Sequence, residues 1–112
     1  MNLFRAEVEV PIGGKVRLLK FGINQLAIFT EKNKISLGEV EMSIAQIRDL
    51  FWSALVCGAK KKKETVDFDE WDVGEWIDEM EESDFNKVLE AMNNSMPKSQ
   101  GKTTKKKSPG TK

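Results

Sequence analysis

Eleven carboxylates and no base fall between Glu64 and Asp84, and this density of acid is the first place where chemistry could sit. Grouped carboxylates hold calcium or act as an acid–base pair. A calcium loop needs oxygen ligands in regular alternation, a central Gly and a closing Glu. Asp67, Asp69 and Asp72 miss that spacing, because Trp71 stands at the third ligand place. A two-carboxylate catalytic site would need a nucleophile setting or a pocket signature, and the sequence offers neither. There is no His, which removes the commonest general base and every Ser-His or Cys-His pair. Cys57 is the sole cysteine, so a disulfide framework or a cysteine zinc site within one chain is excluded. It reads as a small buried hydrophobe on a helix. Gly13-Gly14 has no Gly-Lys-Ser/Thr after it at phosphate-loop spacing. These residues argue against an enzyme, a cofactor or a metal. The acids read instead as a solvated face, or as a face docked on a basic partner.

The charge is segregated behind a net value of zero. Six lysines and no acids occupy the last sixteen residues, so residues 1–96 carry 18 acids against 12 bases. An acidic body of net −6 is followed by a basic stretch of net +6. Such a chain suits partners better than chemistry. Its 112 residues suggest one domain, with a modest core. No apolar run approaches the ~20 residues of a membrane span. Met1 to Arg5 leads straight into alternating charge, which is not the pattern of a signal peptide. A soluble, non-secreted protein is expected.

Arg-Ala-Glu-Val-Glu-Val at 5–10 and Lys-Val-Arg-Leu-Leu at 15–19 alternate around Gly13-Gly14, which predicts a β-hairpin. Ala6, Val8 and Val10 would share a face with Val16 and Leu18. Helical spacing follows over 23–32, with Ile23, Leu26, Ala27 and Phe29 or Thr30 as its apolar positions. A connector at 35–41 holds a short turn around Leu37-Gly38. The clearest helix runs from Ser43 to Gly58. Ser43 and Gln46 form a capping-box pattern, and Met42 and Ile47 a hydrophobic staple. Ile44, Ile47, Leu50, Phe51, Ala54, Leu55 and Cys57 make this helix apolar enough to be central. Lys60 to Lys63 oppose the negative end of its dipole. A third helix over 69–80, capped by Asp67 or Asp69, carries Val73, Trp76, Ile77 and Met80 on its apolar stripe. Gly74 costs it about 1 kcal/mol against Ala, so a packing reason is expected. Ser83 would cap a fourth helix over 84–95, lined by Phe85, Val88, Leu89, Met92 and Met96, and Pro97 stops it. The fold class is thus α+β, mainly α, with an N-terminal β-hairpin packed on about four helices. Residues 1–96 form the domain. From Lys98 onward nothing apolar occurs, and residues 97–112 read as a disordered, Lys-rich tail.

Trp52 and Trp76 are expected in or beside the core. Trp71 lies off the stripe amid acids, where an exposed Trp makes a binding hot spot. The lysines at 98–112 offer salt-sensitive phosphate attraction without sequence readout, and no aromatics interleave with them. Two other readings remain beside the one below. One is a nucleic-acid-associated protein using the basic tail, which the acidic body disfavours. The other is an adaptor that binds some other helix.

The order of elements is recognisable. A strand pair leads into Phe21-Gly22-Ile23-Asn24-Gln25-Leu26 and Phe29-Thr30-Glu31. The apolar helix from Ile47 to Gly58 holds Leu50-Phe51-Trp52-Ser53-Ala54-Leu55. Val73-Gly74-Glu75-Trp76-Ile77-Asp78 and a last short helix to Met96 follow. Over roughly residues 5–96 this resembles the tail assembly chaperones of long-tailed bacteriophages and the related gene-transfer-agent proteins. The resemblance implies a small, mostly helical, non-enzymatic protein of the bacterial host cytoplasm, absent from the mature virion. It implies binding to the tape measure protein and recruitment of tail tube subunits, with self-association possible and no membrane partner. It carries no catalytic residue. The long basic tail and the four lysines at 60–63 depart from the family's pattern. For partner contact the residues of choice are Trp71, Asp72, Glu75, Trp76, Glu79 and Phe85.

Overall fold

A computed structural model describes residues 6–95. Strand β1 (Ala6–Ile12) pairs antiparallel with β2 (Lys15–Phe21) as a two-stranded sheet. Helices α1 (Ile23–Asn33), α2 (Ile44–Lys61), α3 (Glu70–Asp78) and α4 (Glu82–Ser95) follow, with one 3-10 turn at Leu37–Glu39. The fold is α+β, a hairpin on four helices, as the sequence predicts. The expected disordered tail at 97–112, Met96 and Pro97 lie outside the described residues.

The hairpin turns through Gly13 and Gly14, both at positive φ (66° and 88°). Two left-handed residues in a two-residue turn suit the twist of the strands, and only Gly adopts them freely. The turn sets the register: Ile12 pairs with Lys15, Val10 with Arg17, Val8 with Leu19 and Ala6 with Phe21. This corrects the expected facing. Even positions of β1 oppose odd positions of β2, so Leu19 and Phe21, not Val16 and Leu18, share the face of Val8 and Val10. Val16 is 58% exposed. Leu18 is buried on the other face, against the end of α2.

That second packing explains Gly58. A Cβ on Gly58 would overlap the carbonyl of Leu18, so the glycine lets α2 lie against the β2 backbone. Gly58 is therefore inside α2 rather than at its end, and the helix runs on to Lys61. Lys61 then reaches Glu7 at 2.7 Å and Lys62 reaches Glu9 at 2.6 Å, tying the helix end to the outer face of β1.

Helix α2 is central, packed against β2, α1 and α3. Leu50, Phe51, Ala54 and Leu55 are buried with Val10, Leu19 and Phe21 of the hairpin, Phe29, Val73, Val88 and Met92. Each large side chain of this kind contributes about 1.5–3 kcal/mol on burial. Phe51 stacks on Phe85 of α4 with ring centroids 5.5 Å apart.

Two helix faces depart from the apolar pattern. On α1 the buried residues are Gln25, Leu26 and Phe29, while Ile23 is 61% exposed and Ala27 faces solvent. Gln25 is held inside by a polar chain. Its Oε1 accepts from the Gly22 N–H at 3.4 Å, and its Nε2 donates to Ser53 Oγ at 3.1 Å. Ser53 in turn donates to the Leu50 carbonyl. A buried amide so partnered fixes the orientation of α1 on α2. On α2 the first residue, Ile44, is 86% exposed. The cap there is also changed in part. Ser43 Oγ accepts from the Gln46 N–H, but the Gln46 side chain accepts from Glu41 and Met42 rather than from Ser43.

The fourth helix begins two residues sooner than expected. Ser83 lies within α4, and the first intrahelical bond runs from the Phe85 N–H to the Glu81 carbonyl. Glu82 and Asp84 in that turn favour the positive helix end, which lets the helix start before Ser83.

Candidate partner-binding groove

Helix α3 is short, and its start is fixed by its own acids. Asp69 Oδ1 accepts from the Asp72 N–H at 3.0 Å, and Asp72 Oδ2 accepts from the Asp69 N–H at 3.0 Å. This reciprocal pair satisfies two N–H groups at the helix start. Two of the eleven carboxylates thus build the helix. Glu70 pairs with Lys32 of α1 at 3.4 Å, and Glu64 with Lys15 at 4.0 Å. The Glu70 carboxyl is held below the ordinary carboxylate range by its own backbone N–H. Lys32 adds to that, and burial and Asp69 oppose it.

Val73 anchors α3 in the core, and the helix presents a different side chain on each flank. On one flank Trp76 lies over the hairpin turn. A Cβ on Gly13 would come within 2.5 Å of the Trp76 ring. The Arg17 guanidinium sits 4.3 Å from that ring and 5.7 Å from the ring of Phe68, which tilts against Trp76 with centroids 5.4 Å apart. Arg17 is held in place by donating to the carbonyls of Ile12 and Gly13. Trp76 therefore clamps α3 to the turn. Glu79 lies on the same flank, lining a hollow with Gly13, Gly14 and Met80.

On the other flank a groove of about 400 Å³ opens between the first turns of α2, α3 and the start of α4. Its floor and walls are Ile44, Ile47, Ile77, Phe85, Trp71 and Gly74. Trp71 is 72% exposed, with the Arg48 guanidinium 5.8 Å from its ring. Arg48 itself pairs with the buried Asp49 at 3.3 Å. Glu75 and Asp78 stand on the rim. Gly74 leaves space that Arg48 partly fills, since a Cβ there would meet only the Arg48 side chain, Cδ at 3.4 Å and Cγ at 3.9 Å.

The six residues chosen for partner contact therefore divide. Trp71, Glu75 and Phe85 meet at the groove. Asp72 is occupied in capping α3, and Trp76 and Glu79 lie on the opposite flank against the hairpin turn. Ile44, Ile47, Arg48, Gly74, Ile77 and Asp78 complete the groove and were not expected there. The isoleucines read as core because helical periodicity does not tell an inner face from an open one. Gly74 carried the one available signal, a helix-weakening glycine in need of a packing reason.

Cys57 is buried near the other end of α2. Burial pushes its thiol above the ordinary value, against the pull of Lys20 and Lys60. Among the described residues no helix is long and apolar enough to cross a membrane.

No family model, curated protein or solved structure matches this chain.

Proposed function

We propose that the protein is a non-enzymatic assembly chaperone of the long-tailed phage kind, which binds an apolar helix of the tape measure protein and recruits tail tube subunits. The observation that carries this reading is the groove between α2, α3 and α4, with Trp71 and Ile44 left exposed at its edge. A groove of this kind takes an amphipathic helix through side chains at i, i+3 or i+4, and i+7. Glu75 and Asp78 on the rim favour a client helix with Lys or Arg beside its apolar stripe. Trp71 supplies a large rigid contact at low entropic cost. The order of elements adds the resemblance to phage tail chaperones, and with it a bacterial host cytoplasm as the place of action.

Affinity purification of the tagged full chain from its own producing cells, with nuclease and mass spectrometry, tests this reading. Recovery of a very long helical protein together with tube subunits supports it. Partners that vanish with nuclease, or that depend only on the lysines at 98–112, point to a nucleic-acid-associated protein and overturn it.

A further inference from the structure

Helices α3 and α4 leave one acidic face without cations of its own. Residues 70–95 hold nine acids against the single base Lys87. Two of the nine are engaged, since Glu70 pairs with Lys32 and Asp72 caps α3. Glu75, Asp78, Glu79, Glu81 and Glu82 are exposed and form no ion pair among the described residues. Glu75 and Asp78 border the apolar groove, and the other three continue into the turn between α3 and α4. Trp71, one helical turn before Glu75, leaves most of its ring open. Arg48 is the one base in the groove, and it already pairs with Asp49. An open indole beside unpaired carboxylates suits a lysine, whose ammonium meets the acid while its methylene stem lies on the ring.

The chain carries such lysines itself. Residues 98–112 hold six lysines and no acid, and they follow from Ser95 at the end of α4. Phe85, at the groove, lies about 15 Å back along α4 at about 1.5 Å per residue. Lys102 comes seven residues after Ser95, a reach of up to about 23 Å at about 3.3 Å per residue, and Lys105, Lys106 and Lys107 reach further. We propose that the stretch from Lys102 to Lys107 returns along α4 and lies on this face of its own chain. Its lysines meet Glu75, Asp78 and Glu79, and a lysine stem crosses Trp71. The short tether keeps the two surfaces at high effective concentration, so several exposed pairs, each weak alone, hold together. The stretch has no apolar anchor for the groove, so a helix with an apolar stripe and a basic flank displaces it. The segment is then a gate that covers the groove until a client arrives. That consequence rests on the client reading above; the contact does not.

A nitroxide at Ser108→Cys, in a full chain that also carries Cys57→Ala, tests the contact by NMR with no client present. Broadening should fall most strongly on the Trp71 indole and on the amides of Glu75, Asp78 and Glu79. It should be unchanged on dilution, and absent when labelled chain is mixed with isotope-enriched chain that carries no nitroxide. It should drop roughly threefold or more in high salt. The same drop should follow when Lys102, Lys105, Lys106 and Lys107 become Gln, or when Glu75, Asp78 and Glu79 do. Broadening that misses the Trp71 indole, or spreads evenly over the surface, overturns the proposal. So does broadening that survives either set of substitutions, or that passes between separate chains.

Discussion

Gly58 sits against the carbonyl of Leu18 with no room for a side chain between them. The contact joins the longest helix to β2 backbone to backbone, and β2 in turn carries Arg17, on which Trp76 rests. Gly58→Ala should therefore lower stability by about 1–3 kcal/mol, the cost of forcing atoms into a packed interior. Thermal or urea unfolding of the full chain checks this. Unchanged stability would mean that α2 is not pressed on β2 as described.

Gly74→Ala should act in the opposite sense. The new methyl meets only the flexible Arg48 side chain, and Ala favours a helix over Gly by about 1 kcal/mol. Stability should rise while client binding weakens, because the methyl fills the groove. Melting and client titration on the same sample separate the two effects.

Trp71 and Trp76 should separate in the same way. Trp76 is wedged between Arg17, Phe68 and the hairpin turn, so Trp76→Ala should lower stability by about 3 kcal/mol or more. Trp71 is exposed, so Trp71→Ala should leave melting nearly unchanged and weaken client binding by about 2 kcal/mol. Loss of stability in both variants would place Trp71 in the fold rather than at a contact.

Acid should reveal the Glu70 carboxylate. Its value in the folded chain is depressed, chiefly by its own backbone N–H and further by Lys32. A depressed carboxylate stabilises the fold above its unfolded value, and that share is lost as pH falls through the lower folded value. Wild type should thus be more stable than Glu70→Gln at neutral pH, with the two melting curves converging in acid. Parallel curves at all pH values would remove this role.

The Cys57 thiol should react slowly. It is buried, and burial raises its value, so little thiolate forms near neutral pH. Alkylation of the folded chain should run at least about tenfold slower than in denaturant. Equal rates would show that the reagent reaches the sulfur in the folded chain.

The sequence patterns carry most of the architecture, because the Gly13-Gly14 turn, the Asp69 cap and the apolar run of α2 are local signals. What they miss is set by contacts distant in sequence. The register reverses the facing of Val16 and Leu18, because the two-residue turn fixes the parity of pairing. Gln25 goes inside only because Ser53, on another helix, accepts its amide proton. Gly58 looks like a helix end until the Leu18 carbonyl is placed against it. At the groove, Trp71 was legible as an off-stripe aromatic amid acids. Ile44 was not, since an open apolar position and a core position read alike.

The most direct measurement concerns where a client helix lands. The full chain, labelled at its Trp indoles and Ile methyl groups, should be titrated with the apolar helical segment recovered in the purification and followed by NMR. We expect the Trp71 indole and the methyls of Ile44, Ile47 and Ile77 to shift together while those of Trp76 and Ile12 stay in place. Shifts confined to Ile23 and Ile28, or none at all, would contradict binding in the groove.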